Sequence, residues 1–576
     1  MSATVGGGQG PHPAGGSTAP GEGRGATSTV RVLPDVPALA RHFDYLVPEV
    51  WRDQVGVGSR VRIPLHGRRV GAWVVEENVE PPPGVVPVPL AGVSGLGPPP
   101  ALVDLAAWAA WRWAMPAATL LRTASPDRVV RALPAAPRRP RPPAPEEAAG
   151  RGRDVALHRL PPAADLLDEV LHMVEGAPGP GSVVVLVPSV GWAERLTDRL
   201  RRRGLAVARN WAEAAAGWPV VVGSRSAAWA PVPALAGGVV LDVHDESYRR
   251  RYDAAAVVAE RARREGAPCR LYSPCPSLVQ VEEYGVVKPS RSVERSGWPP
   301  VSVVDRRGAD PRTGLLSEEL VRLRGRPLVC VLNRTGRARL LACAACGALA
   351  RCERCGRPTE RDDDELVCRR CGARRPVVCA ACGSTRLKVL RQGVSQVRDE
   401  LVALLGEEVG EVSGTRRPLP DTPVVVGTEA VLHRMRRAAA VVFLDFDQHL
   451  LAPRFTAGEE SLALLARAAR LVRDGGVVLV QTRLPDHPVL AAAVGADPDR
   501  LDERALRREL RLPPYAALAA ASGPAAGEYL APLGGTDLGD GRWLLRSFDH
   551  RTLCDALAET ARPVGELRVT VDPTDL

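Results

Sequence analysis

The segment Ser182-Val-Val-Val-Leu-Val187 consists almost entirely of valine and leucine, and an amphipathic stretch from Trp192 to Arg203 follows it. A short run of this kind is typical of a strand buried on both faces of a parallel sheet, and the stretch after it has the spacing of a surface helix. The pattern recurs at Val220–Val222, Gly238–Leu241, Leu328–Leu332, Val424–Val426, Val441–Leu444 and Val477–Val480, with a second clear helix from Ser461 to Arg473. Strands that alternate with helices predict an α/β fold with two parallel-sheet lobes.

Residues outside the lobes differ in composition. Residues 1–28, rich in Gly, Ala, Pro and Ser, are expected to form a disordered tail, and residues 134–153 a proline- and arginine-rich linker. Short segments that alternate apolar and polar residues predict a small β-domain over 29–96, and a helix is predicted from Leu102 to about Leu121. We predict lobe 1 over 154–298, lobe 2 over 299–340 and 389–511, an insertion over 341–388 and a C-terminal α+β domain over 512–576.

The basic residues are almost all arginines. Lys288 and Lys388 are the only lysines among the 76 basic residues, and neither follows a glycine-rich loop. A phosphate-binding loop of the G-x-x-x-x-G-K-[ST] type needs a lysine to reach the β- and γ-phosphates. The sequence therefore excludes a standard loop of this type.

The composition also indicates where in the cell the protein is expected. Apolar runs stay below the ~18 residues that suggest a membrane span, and the N-terminal stretch lacks the basic and apolar regions of a signal peptide. We therefore expect a cytoplasmic, nucleoid-associated protein that does not bind membranes. The formal net charge of +10 favours nucleic acid only weakly, because many basic proteins bind none.

Eight of the 12 cysteines form four C-x-x-C knuckles: Cys343/Cys346, Cys352/Cys355, Cys368/Cys371 and Cys379/Cys382. Two such knuckles supply the four thiolates of a tetrahedral zinc site with Zn–S bonds of about 2.3 Å. Disulfides are the weaker interpretation in a cytoplasmic chain. We therefore predict two structural Zn²⁺ ions, whose closed four-sulfur shells leave no position for a reactive water.

Three pairings of the knuckles are open: sequential, crossed and nested. The spacer between the first two knuckles is short for folding both onto one ion, whereas the longer spacer between the second and third closes a ribbon easily. Nested pairing is therefore preferred. It gives zinc 1 the ligands Cys343, Cys346, Cys379 and Cys382, and zinc 2 the ligands Cys352, Cys355, Cys368 and Cys371.

Several short segments together resemble one family. They are Phe43-Asp-Tyr-Leu-Val-Pro48, Gly223-Ser-Arg-Ser-Ala227, His244-Asp-Glu-Ser-Tyr248, Leu332-Asn-Arg-Thr-Gly336, the eight knuckle cysteines, Val426-Gly-Thr-Glu429, Leu444-Asp-Phe-Asp447 and Leu512-Pro-Pro-Tyr515. In this order and spacing they resemble the PriA family of primosomal replication-restart proteins, which are superfamily-2 helicases. The resemblance implies RecA-like lobes with a zinc-ribbon insertion in the second, and a winged-helix-like segment over 97–133.

The helicase motifs that the resemblance implies are degenerate. The phosphate loop should lie at Val155–Ala164, which offers no glycine and no lysine, and prolines lack an N–H donor. The acidic motif falls on Leu241-Asp-Val-His244, where at most one of the two carboxylates needed for Mg²⁺ remains. Arg467 and Arg470 match the arginine-finger segment in spacing but not in its glycines and glutamine. We therefore predict no catalytic residues, and ATP with Mg²⁺ is not an expected cofactor.

The resemblance also implies a DNA site in the N-terminal domain. Phe43, Asp44 and Tyr45 match the pocket for the 3′ end of a nascent strand, where an aromatic ring stacks a base and a carboxylate accepts the 3′-hydroxyl proton. Arg60 and Arg62 are predicted to follow phosphates. Without the family match, Phe43 and Tyr45 would be expected to face a β-core, with Asp44 in a turn.

Three functions remain possible at this stage. The preferred one is a replication-restart protein that binds abandoned or stalled forks and promotes primosome assembly and loading of the replicative helicase, without ATP-driven unwinding. Its expected partners are branched fork DNA, 3′ ends, the helicase or its loader, and single-strand-binding protein. The alternatives are an active ATP-dependent 3′–5′ helicase with non-standard nucleotide contacts, and a protein-interaction module built on the zinc ribbons.

Overall fold

The computed structural model describes most of the chain. The described residues are 28–36, 39, 41–84, 86–137, 155–177, 181–309, 315–332, 341–354, 356–368, 371–389, 394–412 and 418–575. Nearly all of the predicted disordered tail, most of the predicted linker, the segment 333–340, Arg369, Arg370 and Cys355 lie outside these residues. The described chain divides into two compact units, one formed by residues 28–34 with 41–94 and the other by the rest.

The first unit is a six-stranded sheet. Its strands are β1 (Thr29–Pro34), β2 (Phe43–Leu46), β3 (Arg60–Leu65), β4 (Arg68–Glu77), β5 (Val88–Pro89) and β6 (Gly92–Gly95), in the order β5-β2-β1-β4-β3-β6. Val32, Val61, Ile63 and Val74 are buried in its core. Alternation of apolar and polar residues along these strands places one face inside, as the sequence predicts.

A two-residue turn joins β3 to β4. His66 and Gly67 both have positive φ, 46° and 75°, and Leu65 pairs with Arg68 directly across the turn. Turns of this type match the right-handed twist of a hairpin, and glycine adopts their backbone conformation without strain. The turn therefore sets the register that places Arg60 and Arg62 along β3.

Two helices begin the second unit, α1 (Pro100–Arg112) and α2 (Ala117–Ala124). The prediction of one helix from Leu102 to Leu121 is therefore wrong. Ala114 has a φ of 48°, and Pro116 supplies no N–H and disfavours a helical residue before it. The indole of Trp111 donates to Asp555 Oδ1 at 2.9 Å, which joins α1 to the C-terminal domain.

Lobe 1 is a five-stranded parallel sheet with helices. Its strands are β7 (Val155–Arg159), β8 (Ser182–Leu186), β9 (Val220–Gly223), β10 (Leu235–Leu241) and β11 (Cys269–Ser273), in the order β7-β11-β10-β8-β9. Its helices are α3 (Leu166–Gly176), α4 (Val190–Arg202), α5 (Trp211–Ala215), α6 (Ala254–Glu265), α7 (Leu278–Tyr284) and α8 (Arg291–Ser296). Each pairing between these strands is parallel, as expected for strands connected through helices.

Lobe 2 is a six-stranded sheet. Its strands are β12 (Val301–Asp305), β13 (Leu328–Val331), β19 (Val409–Val412), β20 (Val424–Gly427), β21 (Ala438–Phe443) and β22 (Val472–Thr482), in the order β12-β22-β21-β13-β20-β19. Its helices are α9 (Glu318–Val321), α10 (Val394–Leu405), α11 (Ala430–Arg434), α12 (Asp447–Leu450), α13 (Ala457–Leu471), α14 (Pro488–Val494) and α15 (Arg504–Glu509). The predicted helix that ends at Arg473 instead ends at Leu471, where β22 follows at once.

Short strands form the insertion between β13 and α10. They are β14 (Leu341–Cys343), β15 (Glu360–Asp362), β16 (Glu365–Val367), β17 (Arg374–Pro376) and β18 (Leu387–Val389). The C-terminal domain contains β23 (Ala517–Ser522), β24 (Thr536–Gly539), β25 (Arg542–Ser547) and β26 (Arg568–Val571), with α16 (Ala526–Leu530) and α17 (His550–Glu559). The predicted fold class, α/β with two parallel-sheet lobes, is confirmed. Among the described helices, none is both long and apolar enough to cross a membrane.

Candidate functional site

Asp44 forms an ion pair within the first unit. Its carboxylate accepts hydrogen bonds from Arg31, Nε at 2.9 Å and Nη2 at 3.2 Å. Arg31, on β1, lies opposite Asp44 on β2 and opposite Glu76 on β4. Its Nη1 donates to the Glu76 carboxylate at 2.9 Å. The bond with Asp44 raises the pKa of Arg31. Two hydrogen bonds from Arg31 therefore hold the Asp44 carboxylate, which is the group predicted to bind the 3′ end. Sequence reasoning did not single out Arg31.

The two aromatic residues beside Asp44 differ in exposure. Tyr45 is 4% exposed, its hydroxyl donates to the Pro64 carbonyl at 2.8 Å, and burial raises its pKa. Phe43 is half-buried against the same core. Phe43 is thus the aromatic ring of this segment that a base could reach, whereas the structure gives Tyr45 a packing role. A DNA contact by either residue stays a prediction.

Arg60 and Arg62 lie two residues apart on β3. Arg62 is exposed and Arg60 is half-buried. Alternate residues of a strand point to the same side, so both arginines are on one face. Arg68 and Arg69 are also exposed at the start of β4. Arg69 pairs with Pro64 and therefore shares the face of Arg60 and Arg62, whereas Arg68 is on the other face. A group of arginines on one face suits phosphates but is also common on solvent-exposed sheets.

Four cysteines of the insertion meet at one point. The sulfurs of Cys343, Cys346, Cys379 and Cys382 lie within 4.8 Å of one another, with Cys343 to Cys382 at 3.5 Å and Cys346 to Cys379 at 3.6 Å. Tetrahedral zinc bonds of about 2.3 Å place sulfurs about 3.8 Å apart. The cluster could therefore hold a metal ion. Pairing of β14 with β18 brings its first and last knuckles together.

A second cluster contains Cys352, Cys368 and Cys371, whose sulfurs also lie within 4.8 Å of one another. The sulfurs of Cys352 and Cys371 are 3.5 Å apart. Cys355, the predicted fourth ligand, lies outside the described residues. This grouping joins the second knuckle to the third and the first to the fourth, which is the nested arrangement. That the ions are zinc stays a prediction.

Glycines after the knuckles have a specific backbone conformation. Gly347, Gly356, Gly372 and Gly383 have φ values between 66° and 74°. Residues other than glycine adopt this left-handed region with difficulty. The amide of each glycine also donates to the carbonyl of the first cysteine of its knuckle at 2.8–2.9 Å, which closes the turn around the two sulfurs.

The segment between β7 and α3 occupies the predicted phosphate-loop position. Asp165 caps α3, accepting a hydrogen bond from the amide of Leu167 at 3.0 Å, and also contacts Arg199 at 2.6 Å. A helix N-terminus favours an anion because its amides lack partners and its dipole is positive. Here a carboxylate of the chain itself already occupies this end.

The acidic residues after β10 contact lobe 2. Asp242 pairs with Arg470, and Asp245 pairs with Arg467, both on α13. Burial raises the pKa of Asp245, but Arg467, His433, the Ser247 amide and His244 together outweigh burial and lower this pKa to about 2. Burial lowers the pKa of His244 to about 4, so this imidazole is neutral at physiological pH. Sequence reasoning singled out all of these residues, but it did not predict that they pair with each other.

Comparisons with known proteins show which proteins this chain is similar to. A family model described as the PriA 3′ DNA-binding domain matches residues 31–126. The PriA replication restart protein of Haemophilus influenzae is 28% identical over 389 residues, which cover 58% of this chain and 53% of that protein. The chain is related to the PriA replication restart proteins. The predicted resemblance to the PriA family is thereby confirmed.

Coverage differs among the PriA relatives. The chain spans about half the length of the Haemophilus influenzae protein and of the Bacillus subtilis protein, which is 27% identical and 49% covered. The probable PriA of Mycobacterium bovis is 28% identical over an alignment of 630 positions that covers 94% of this chain and 92% of that protein. Among solved structures, Saccharomyces cerevisiae Dbp5 bound to RNA and ADP BeF3 has a TM-score of 0.36 and 13% identity over 63% of this chain and 90% of that one.

Proposed function

We propose that this chain acts in replication restart as a protein that binds abandoned or stalled forks. In this proposal it promotes primosome assembly and loading of the replicative helicase, with the helicase or its loader and single-strand-binding protein as partners. The observation that carries it is the match of residues 31–126 to the PriA 3′ DNA-binding domain, combined with the similarity to the Mycobacterium bovis protein over almost its whole length.

We assign recognition of the 3′ end to Phe43 and Asp44. The half-buried Phe43 ring can stack on a terminal base, and the Asp44 carboxylate can accept a hydrogen bond from the 3′-hydroxyl. A phosphate at that position carries negative charge and would be repelled. Arg31 fixes the carboxylate in place, and Arg60 and Arg62 provide charge for the phosphates upstream.

We further propose that the chain does this without hydrolysing ATP. The phosphate-loop position carries the Asp165 carboxylate, which occupies the helix end where a phosphate would bind. The two acidic residues after β10, Asp242 and Asp245, are paired with arginines that would otherwise be available for phosphates. No group in this set is left to hold MgATP in the ordinary way.

Affinity for forks that end in a 3′-hydroxyl or a 3′-phosphate tests the 3′-end assignment. The Asp44→Ala variant should lose the preference for the 3′-hydroxyl, about tenfold in Kd, because a hydrogen bond to a charged group contributes about 1.5–3 kcal/mol. The matched control is Glu76→Ala, which removes the other carboxylate that pairs with Arg31 but keeps Asp44 and its bond with Arg31, and should keep the preference. Equal weakening of both ends by Asp44→Ala would overturn the assignment.

A further inference from the structure

Two buried ion pairs connect the two lobes of the second unit. Asp242 and Asp245 follow the central strand β10 of lobe 1, and Arg467 and Arg470 lie one turn apart on α13 of lobe 2. The side chains of the two aspartates are 5% and 4% exposed, and those of the two arginines about one fifth. Charges this well shielded from water interact more strongly than a surface pair.

The backbone conformation of Asp242 and additional contacts of the two arginines help to hold the ion pairs in place. Asp242 has a φ of 52°, a conformation in which aspartate and asparagine are several-fold enriched over other residues. Arg470 also donates through Nε to the Pro162 carbonyl at 3.3 Å, and Arg467 contacts His433 Nε2 at 2.8 Å. Each guanidinium thus bridges to its carboxylate and to a second group.

A second set of ion pairs also connects lobe 1 to lobe 2. Asp499 of lobe 2 binds Arg159 and Lys288 of lobe 1, each at 2.9 Å. Arg504 of lobe 2 binds Glu282 of lobe 1 at 2.9 Å. The two lobes are therefore held at separate points, which restricts rotation of one lobe about the other.

The arginines at the centre of the interface are each paired with an aspartate of the other lobe, and Asp242 pairs through Oδ2 while its buried Oδ1 has no hydrogen-bond partner among the described residues. Guanidinium groups are good ligands for phosphate, and paired carboxylates are good ligands for Mg²⁺. In this interface each arginine is neutralised by an aspartate across the lobe boundary. A nucleotide could therefore use either arginine only after breaking the ion pair that this arginine makes.

We propose that the pairs Asp242–Arg470 and Asp245–Arg467 form a clamp that holds the two lobes in one arrangement without any ligand. The two-lobe body is then rigid in the resting protein, and its arrangement does not respond to MgATP. The clamp is a property of the lobe interface alone and does not depend on DNA binding.

Hydrogen–deuterium exchange and small-angle X-ray scattering on the full chain test the clamp. The Arg467→Gln/Arg470→Gln variant should exchange about tenfold faster at the amides of 242–249 and 463–471 and have a larger radius of gyration. The matched control is Arg307→Gln/Arg398→Gln, which removes two arginines whose ion pairs lie within lobe 2. The control should behave as the unmodified chain, and neither the control nor the unmodified chain should change with MgATP.

Charge reversal provides the second measurement. Arg467→Asp places like charges opposite each other and should loosen the interface, and Asp245→Arg/Arg467→Asp should restore slow exchange. Restoration by the double variant supports the clamp even where Arg467→Gln/Arg470→Gln does not fold. Unchanged exchange in both arginine variants, no recovery in the double variant, or compaction of the unmodified chain by MgATP would overturn it. Failure here leaves the 3′-end assignment untouched, because no DNA is present.

Discussion

Asp44 and Asp245 each pair with an arginine that lies on another element of the fold. Phe43, Asp44 and Tyr45 could be selected from the sequence, but the alternation of β2 alone could not tell that Arg31 faces Asp44, because that depends on strand register. The same holds for Asp245 and Arg467, which are 222 positions apart and meet only through packing of the lobes. Chemistry-bearing residues were therefore predictable, and their partners were not.

His244 makes the lobe interface sensitive to acid. Its folded pKa of about 4 lies below the ordinary 6.5, so the unfolded chain takes up a proton at a higher pH than the folded chain does. Stability therefore falls as the pH drops from about 6.5 towards 4, by about 2 kcal/mol at pH 5. Urea unfolding at pH 7.5 and 5 should show a smaller loss for His244→Asn than for the unmodified chain.

His172→Asn is the matched control for this experiment, because His172 is exposed on α3. This variant should lose as much stability between pH 7.5 and 5 as the unmodified chain. Part of the pH dependence should remain in His244→Asn, since burial also lowers the pKa of His433 to about 4. Identical pH dependence in the two histidine variants would show that His244 is not the responsible group.

At the scale of elements, apolar runs predicted seven of the eleven strands described in the two lobes, because buried parallel strands need little beyond β-branched residues. They missed β7, β11, β12 and β19, each of which contains polar or charged residues. The prediction of one helix over 102–121 failed because Pro116 separates two helices. This proline is visible in the sequence, so the break could have been predicted. Spacer lengths between knuckles favoured the nested grouping, because a short spacer cannot fold two turns onto one ion. Local rules thus sufficed for the strands that are almost wholly apolar, but not for the strands of mixed composition or for the helix that ends before a proline.

Metal content tests the two cysteine clusters separately. Cys379→Ser removes one ligand of the first cluster and should lower bound zinc from about two ions per chain to about one, since a three-thiolate site binds zinc more weakly. Elemental analysis of the purified full chain measures this directly. Cys554→Ser is the control, because Cys554 lies on α17 and donates to the Arg112 carbonyl, a bond that serine can also make.

The control should keep two zinc ions. Two ions in Cys379→Ser would contradict the assignment of the first cluster. Loss of the second ion should also weaken the attachment of the insertion to lobe 2. The reason is that Arg357 follows the second knuckle and donates to the carbonyls of Ala452 and Arg454 in that lobe. The second cluster therefore anchors the insertion to the lobe.

At the scale of the whole molecule, we propose that a DNA-binding domain is joined to a two-lobe body that does not hold MgATP. The sequence shows directly that the expected phosphate-loop position, residues 155–164, contains no glycine and no lysine. The cap of α3 is a local contact of Asp165 with the Leu167 amide, of a kind that an aspartate before a helix predicts. The pairing of the remaining charges across the lobes is a tertiary contact, which no local pattern encodes.

The most direct test of the account is phosphate release from ATP by the full chain bound to fork DNA. Purified chain at saturating fork DNA should release phosphate no faster than the Asp242→Asn/Asp245→Asn variant, while the unmodified chain retains its affinity for forks that end in a 3′-hydroxyl. Fork-stimulated phosphate release that is abolished in the Asp242→Asn/Asp245→Asn variant would contradict the account.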